Sequence, residues 1–235
     1  MIKIPLGLSL CLVFGMAGAG SGQTPAKDTH DEIEQTTKAA TVFREIMGAP
    51  DKAIPKRVLD NADCIAVFPS VIKAAFGIGG RGGRGLAICR TPSGWSAPAY
   101  LNVGGASFGA QIGVESVDYV MLFMTPESAR SLLQNNVKLG GNVSVAAGPI
   151  GREAEAATDL KLNAQILSYS RSKGLFAGAA LEGAVIETAN NDMRDVYGPN
   201  ATAKAVLFDG TVKAPQEVTA FAKVVETFTP GTGKP

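Results

Sequence analysis

Between Gly77 and Gly85 the chain reads Gly-Ile-Gly-Gly-Arg-Gly-Gly-Arg-Gly, and glycine keeps interrupting the apolar runs on either side. Each glycine in a helix interior costs roughly 1 kcal/mol relative to alanine, so a stretch built this way resists helix formation. Glycine instead permits tight turns and close approach of one backbone to another. The chain holds 28 glycines in 235 residues, about 12% against a usual ~7%, and only 6% aromatic residues. These features predict an α+β fold: a single domain with a glycine-rich, mostly antiparallel β core and peripheral helices at both ends. The glycine segments read as turns between strands.

Apolar runs place strands from Cys64 onward and at 85–90, 95–103, 111–114, 119–124, 143–147, 164–170 and 175–187. Ahead of them, Ile33, Thr37, Ala40, Phe43 and Met47 recur at helical spacing, and Thr29 with Glu32 has the spacing of a capping box. A short helix begins around Pro55 with Val58 and Leu59, and another at Thr125-Pro126-Glu127. Residues 215–228 put Val218, Phe221, Ala222 and Val225 on one helical face. The domain spans residues 28–228, and the Pro/Gly/Thr composition of 229–235 predicts a disordered tail.

Residues 1–19 read as an export signal. Lys3 supplies the positive start, Leu6 to Phe14 the apolar core, and Ala17-Gly18-Ala19 the small residues of a cleavage site, so the mature chain would begin near Gly20. Leu10 stands where a lipoprotein signal needs a small residue, which argues against lipid attachment at Cys11. No other run approaches the ~18 apolar residues of a membrane span. The expected location is the periplasm or outer envelope of a bacterium, peripheral to the membrane. Without Lys3 the chain has 21 basic and 21 acidic side chains, so global charge names no partner and nothing marks nucleic acid as one. Cys64 and Cys89 remain, both in apolar strand-like runs. An oxidising compartment favours a disulfide between them, and two reduced core cysteines fit the pattern equally well.

One histidine, His30, removes most triad, dyad and multi-histidine zinc chemistry. Gly77 to Gly82 fits G-x-G-x-x-G, but a strand follows it where a dinucleotide site needs a helix N-terminus. Gly105-Ala106-Ser107-Phe108-Gly109 fits the nucleophile elbow, yet another glycine-punctuated strand follows and the histidine lies upstream. Glu153, Glu155 and Asp159 are the densest carboxylates near the sheet, in an alanine-rich polar segment that reads as solvated surface. No catalytic residue, no cofactor and no metal site is expected, and the chain reads as a non-enzyme.

Charge patterning is more informative. No acidic residue lies between Asp63 and Glu115, yet the span holds Lys73, Arg81, Arg84 and Arg90. On glycine turns that expose backbone N–H groups, Arg81 and Arg84 would bind a phosphate headgroup, with Lys73 and Arg90 adding charge. Phe76, Trp95 and Phe108 are the apolar neighbours that would contact an acyl chain. The bland alternative pairs the arginines with acids from elsewhere in the chain.

Several segments together carry a resemblance: Phe108 to Gly113, Val145 to Arg152, Tyr169-Ser170, Gly174 to Gly178, and Leu181-Glu182-Gly183. With Trp95-Ser96-Ala97-Pro98 and 191–198 they closely resemble the SYLF domain family, over roughly Ile33 to Val225. The resemblance implies a non-catalytic lipid-binding module of the phosphoinositide-recognising kind, with actin binding among fungal members. Here the segment matching the membrane-touching helix of some relatives is acidic: Asp28, Asp31, Glu32, Glu34 and Glu45 outnumber Lys38 and Arg44. For an exported chain the expected partners are anionic envelope lipids, with an envelope protein as the alternative.

Overall fold

The computed structural model describes residues 29–49, 53–151 and 164–230, with side chains at 77, 78 and 107–112 left aside. The export signal, Cys11, Glu153, Glu155, Asp159, nearly all of the tail and the Phe108 side chain lie outside the described residues.

The dominant element is a two-stranded antiparallel ribbon. Strand β1 (Cys64–Thr91) pairs with β3 (Ala99–Phe123) from Cys64 opposite Phe123 to Ala87 opposite Ala99. The glycine stretch lies inside β1, with Gly79 opposite Ser107 and Gly83 opposite Val103, so the expected turns there and around Gly105 are strand. Glycine serves close approach here rather than chain reversal. Twenty-five residues of extended strand would span about 80 Å, yet the Cα atoms of Cys64 and Cys89 are 4.0 Å apart and a disulfide joins them. The Arg90 N–H donates to the Asp63 carbonyl at 2.8 Å beside it. Bulges between Phe68 and Val71 and between Phe76 and Ile78 help bend β1 through this circuit. Where the two halves of β1 meet inside the curl, a methyl group at Gly83 would lie 2.8 Å from Val71 Cγ2, and one at Gly85 would collide with the Phe68 ring.

The remaining strands extend the ribbon. β2 (Gly94–Trp95) folds back on β1, and β6 (Ile166–Ser172) pairs with β3 from Phe123 opposite Ile166 to Asp118 opposite Arg171. β5 (Val145–Ala147) runs parallel to β6, and β7 (Leu175–Gly178) antiparallel to it. β8 (Val185–Thr188) bridges β3 and β4 (Asn136–Lys138). The single strand expected over 175–187 is thus two strands on different partners, separated by a reversal with Gly183 at φ +77°.

Among the described residues six helices flank the sheet: α1 (His30–Met47), α2 (Lys56–Asn61), α3 (Pro126–Ser131), α4 (Asn190–Tyr197), α5 (Ala203–Leu207) and α6 (Ala220–Phe228). A 3-10 turn (Gln216–Val218) precedes α6, which shortens the helix expected from Pro215. Phe43 of α1 meets Phe221 and Phe228 edge-on, with centroids 5.9 and 6.1 Å apart. The buried face of α1 is Glu32, Thr36, Ala39, Ala40, Val42, Phe43 and Ile46. This face is rotated from the expected one: Ile33 and Met47 are half-buried and Thr37 is exposed. Glu32 and Thr36 turn inward because polar partners wait beneath them, Arg84 and the Tyr100 hydroxyl. Thr29 makes no side-chain cap, so the capping box is absent. The reciprocal cap forms instead at α3, between Thr125 and Ser128.

Candidate functional site

Alternation along the ribbon sorts its middle section into two faces. Ile72, Ala74 and Phe76 share one face with Val114 and Ser116, which stand across from Ala74 and Ile72. This face is open to solvent: Phe76 is 80% exposed, Val114 76% and Ile72 49%. Leu175, 70% exposed, sits on the adjacent β6–β7 hairpin opposite Ser172, whose hydroxyl bonds Glu115 of β3. Three of the five exposed large apolar side chains among the described residues therefore share this face, and Leu175 stands beside them on the face of Glu115.

The other face carries Lys73, half-buried and opposite Glu115. Arg81 is half-buried too, and its Nε is buried without a hydrogen-bond partner. Burial raises the Tyr119 hydroxyl pKa above the ordinary value; the Arg81 charge counters the rise and Glu115 adds to it, which places both charges near Tyr119. Cation and apolar rim thus occur on the same stretch of ribbon, on its two sides.

The other expected headgroup residues are used differently. Arg84 donates from Nη1 to Asp31 at 3.3 Å, and from Nη2 to Glu32 at 3.2 Å and Asp192 at 2.7 Å. Burial pulls its pKa down, but Asp192, Glu32 and Asp31 outweigh that and hold it above the ordinary value. A guanidinium clasped by three carboxylates is not on offer to a phosphate, and the arginine-acid pairing forms with acids the sequence did not single out for it. Arg90 donates to the carbonyls of Leu59, Asp60 and Ala62 and lies over the Trp95 ring at 4.4 Å. Its role is to tie α2 to the end of β1. Trp95 Nε1 donates to Thr229 at 3.0 Å, and Trp95 borders a separate cavity of about 420 Å³ with Val206, Ala222, Lys223 and Glu226. The four basic residues and the apolar neighbours named from sequence therefore do not form one site: Lys73, Arg81 and Phe76 share the ribbon middle, whereas Arg84, Arg90 and Trp95 belong to structural contacts elsewhere.

What sequence reasoning missed is the pocket of about 410 Å³ around Arg84, lined by Asp31, Glu32, Asp192 and Asp195. Its local signals were the adjacent Asp31 and Glu32 at the start of α1 and Asp192 with Asp195, three apart on α4. Their convergence comes from the fold. Among the described residues, the one set of three side chains with potential ligand atoms within 4.8 Å of one another is His30, Asp31 and Glu34, all exposed, and no helix is long and apolar enough to cross a membrane.

The family described as Las17-binding protein actin regulator, Ysc84, matches residues 104–228. The chain is 39% identical over 203 residues to protein YSC84 of Saccharomyces cerevisiae, covering 82% of this chain and 43% of the relative. It is 38% identical over 203 residues to LAS seventeen-binding protein 3 of the same yeast, covering 82% and 44%. Against the SH3 domain-containing YSC84-like protein 1 of Homo sapiens it is 35% identical over 202 residues, covering 83% and 58%. The chain spans about half the length of the curated relatives it matches.

Proposed function

The chain belongs to the Ysc84 (SYLF) family, and on that premise we propose that it is a non-enzymatic module that docks on anionic lipid surfaces through the middle of its β1–β3 ribbon. The observation that carries the reading is the pairing of Arg81, whose Nε is buried and unpartnered, with the exposed side chains of Phe76 and Val114 on the same stretch. A monomeric surface rarely leaves apolar side chains this bare in a group unless something covers them. Phosphate oxygens would satisfy Arg81 and Lys73, while Phe76, Val114 and Ile72 enter the acyl boundary. Full burial of one such side chain contributes about 1.5–3 kcal/mol and each surface cation about 1 kcal/mol, which gives reversible attachment. Residues 1–19, read as an export signal, would deliver the module to envelope lipids.

Flotation with phosphatidylglycerol vesicles tests this. Phe76→Asp should weaken association by about tenfold or more, and Arg81→Gln by about fivefold, with folding unchanged. Equal flotation of wild type and both variants would sink the reading. A second reading, docking on a protein, is favoured by the family description, which names Las17 binding and actin regulation. It predicts no flotation, together with loss of a captured envelope protein in Phe76→Asp.

A further inference from the structure

The cavity of about 420 Å³ beside Trp95 lies between β2 and α6. Its apolar wall is Trp95, Val206, Val212 and Ala222, all buried or half-buried. Its neutral polar side chains are already committed within the protein. Trp95 Nε1 donates to Thr229 at 3.0 Å, Thr91 Oγ1 to the Gly94 carbonyl at 2.9 Å, and Ser93 bonds Thr91 at 3.2 Å. Ser96 Oγ donates to the Ala97 carbonyl at 2.9 Å and Thr219 Oγ1 to the Gln216 carbonyl at 2.7 Å. The charged side chains are not committed: Lys213, Lys223 and Glu226 are exposed, and among the described residues none of them makes an ion pair or a side-chain hydrogen bond.

That division says what the cavity can recognise. A sugar or another neutral polar ligand needs free donors and acceptors on the wall, and the hydroxyls and the indole N–H here are spent. An apolar body needs only the wall itself, and ring carbon is what Trp95 presents once Nε1 is engaged. Two ammonium groups against one carboxylate leave the rim with a formal charge of +1, which favours a single negative charge. A cationic ligand would meet both lysines, and Arg90 already covers one face of the Trp95 ring at 4.4 Å. We propose that this cavity binds a small aromatic monocarboxylate, its ring against Trp95, Val206 and Val212 and its carboxylate held at the rim by Lys213 and Lys223. The volume lies within the range of small-molecule sites, roughly 300–1,000 Å³. The cavity shares no residue with the lipid-docking stretch of the ribbon, so either reading can fail without the other.

Trp95 is the single tryptophan of the chain, so its fluorescence reads this cavity directly. Titrating the full chain with hydrocinnamate, excited at the red edge of the indole band where this probe does not absorb, should give a saturable shift of the emission to shorter wavelength. The neutral amide, hydrocinnamide, should bind about tenfold more weakly for want of two charge contacts. Lys213→Met and Lys223→Met should each weaken hydrocinnamate binding by about threefold, and added salt should erode the same advantage. Neither lysine makes an ion pair, so both variants read the site on a folded protein. No saturable shift, equal affinity for acid and amide, or an unchanged affinity in the variant carrying both lysine substitutions would each overturn the proposal.

Discussion

Cys64 and Cys89 are bonded across the two ends of one and the same strand, Cα to Cα 4.0 Å, so the disulfide fastens β1 into its curl. Closing a loop of this length removes denatured-state entropy equivalent to about 3–4 kcal/mol. Replacing both cysteines by alanine should lower the urea midpoint accordingly. Intact-mass analysis after alkylation in denaturant should show both thiols protected until a reductant is added, and immediate labelling of both would contradict the bridge.

Arg84 to methionine should destabilise the fold, because it leaves Glu32, 5% exposed, beside three further carboxylates without a counter-charge. Removing one partner of a buried ion pair costs about 3–5 kcal/mol, and the 39% exposure of the Arg84 side chain trims this to about 2–3 kcal/mol. Adding Glu32→Gln to that variant should restore part of the loss. Denaturant unfolding of the two singles and the double measures it, and strict additivity would show that the pair is uncoupled.

Alkaline pH should unfold the protein in a definite window. Burial is the main cause that pushes the Tyr100 hydroxyl from about 10 up to about 12; the Thr36 hydrogen bond works against it, and Glu32 and Asp192 reinforce it. A phenol held neutral in the folded state contributes its full stabilisation below the unfolded value and loses it as pH rises from about 10 to about 12, in all about 2–3 kcal/mol. Burial pushes Tyr169 and Tyr197 up as well, so they add to the same loss. Tyrosinate absorbance followed alongside circular dichroism should show ionisation and unfolding together, and Tyr100→Phe should shrink the pH-dependent part of the stability. Ionisation of Tyr100 well below pH 11 in the folded state would refute the assignment.

Gly85 to alanine should cost about 1–3 kcal/mol or more, since the added methyl meets both the Phe68 ring and the Val67 carbonyl oxygen inside the curl. Phe68→Leu in the same chain should return part of that by making room. Thermal unfolding of the single and paired variants tests it, and a neutral Gly85→Ala would mean that the two halves of β1 are not in contact.

The elements that sequence located well are those whose signal is local. Pro55 with Val58 and Leu59, and Thr125-Pro126 ahead of α3, gave helix starts because caps and N1 prolines act over four residues. The glycine stretch was misread because a glycine run permits a turn and a strand alike; what decides is a partner such as Gly105, 24 residues beyond Arg81 along the chain. The α1 face was off by one position because Ile33 looks more buriable than Glu32 until Arg84 is placed beneath it. Arg84 meets Asp192 across 108 residues, a distance over which charge patterning carries no information. For the same reason Lys73, Arg81 and Phe76 could be picked out, while the sorting of Arg84, Arg90 and Trp95 into other contacts could not.

Gly83 and Gly85 also set how this sheet can drift. No residue is smaller than glycine, so every missense change at these two codons adds bulk to the inner wall, and neither position has a conservative replacement. The facing side chains of Val71 and Phe68 can shrink, but the Val67 carbonyl oxygen, 2.5 Å from a methyl group at Gly85, cannot. Tolerated variation in the curl therefore runs in one direction: the large wall must give way before the small wall can change at all.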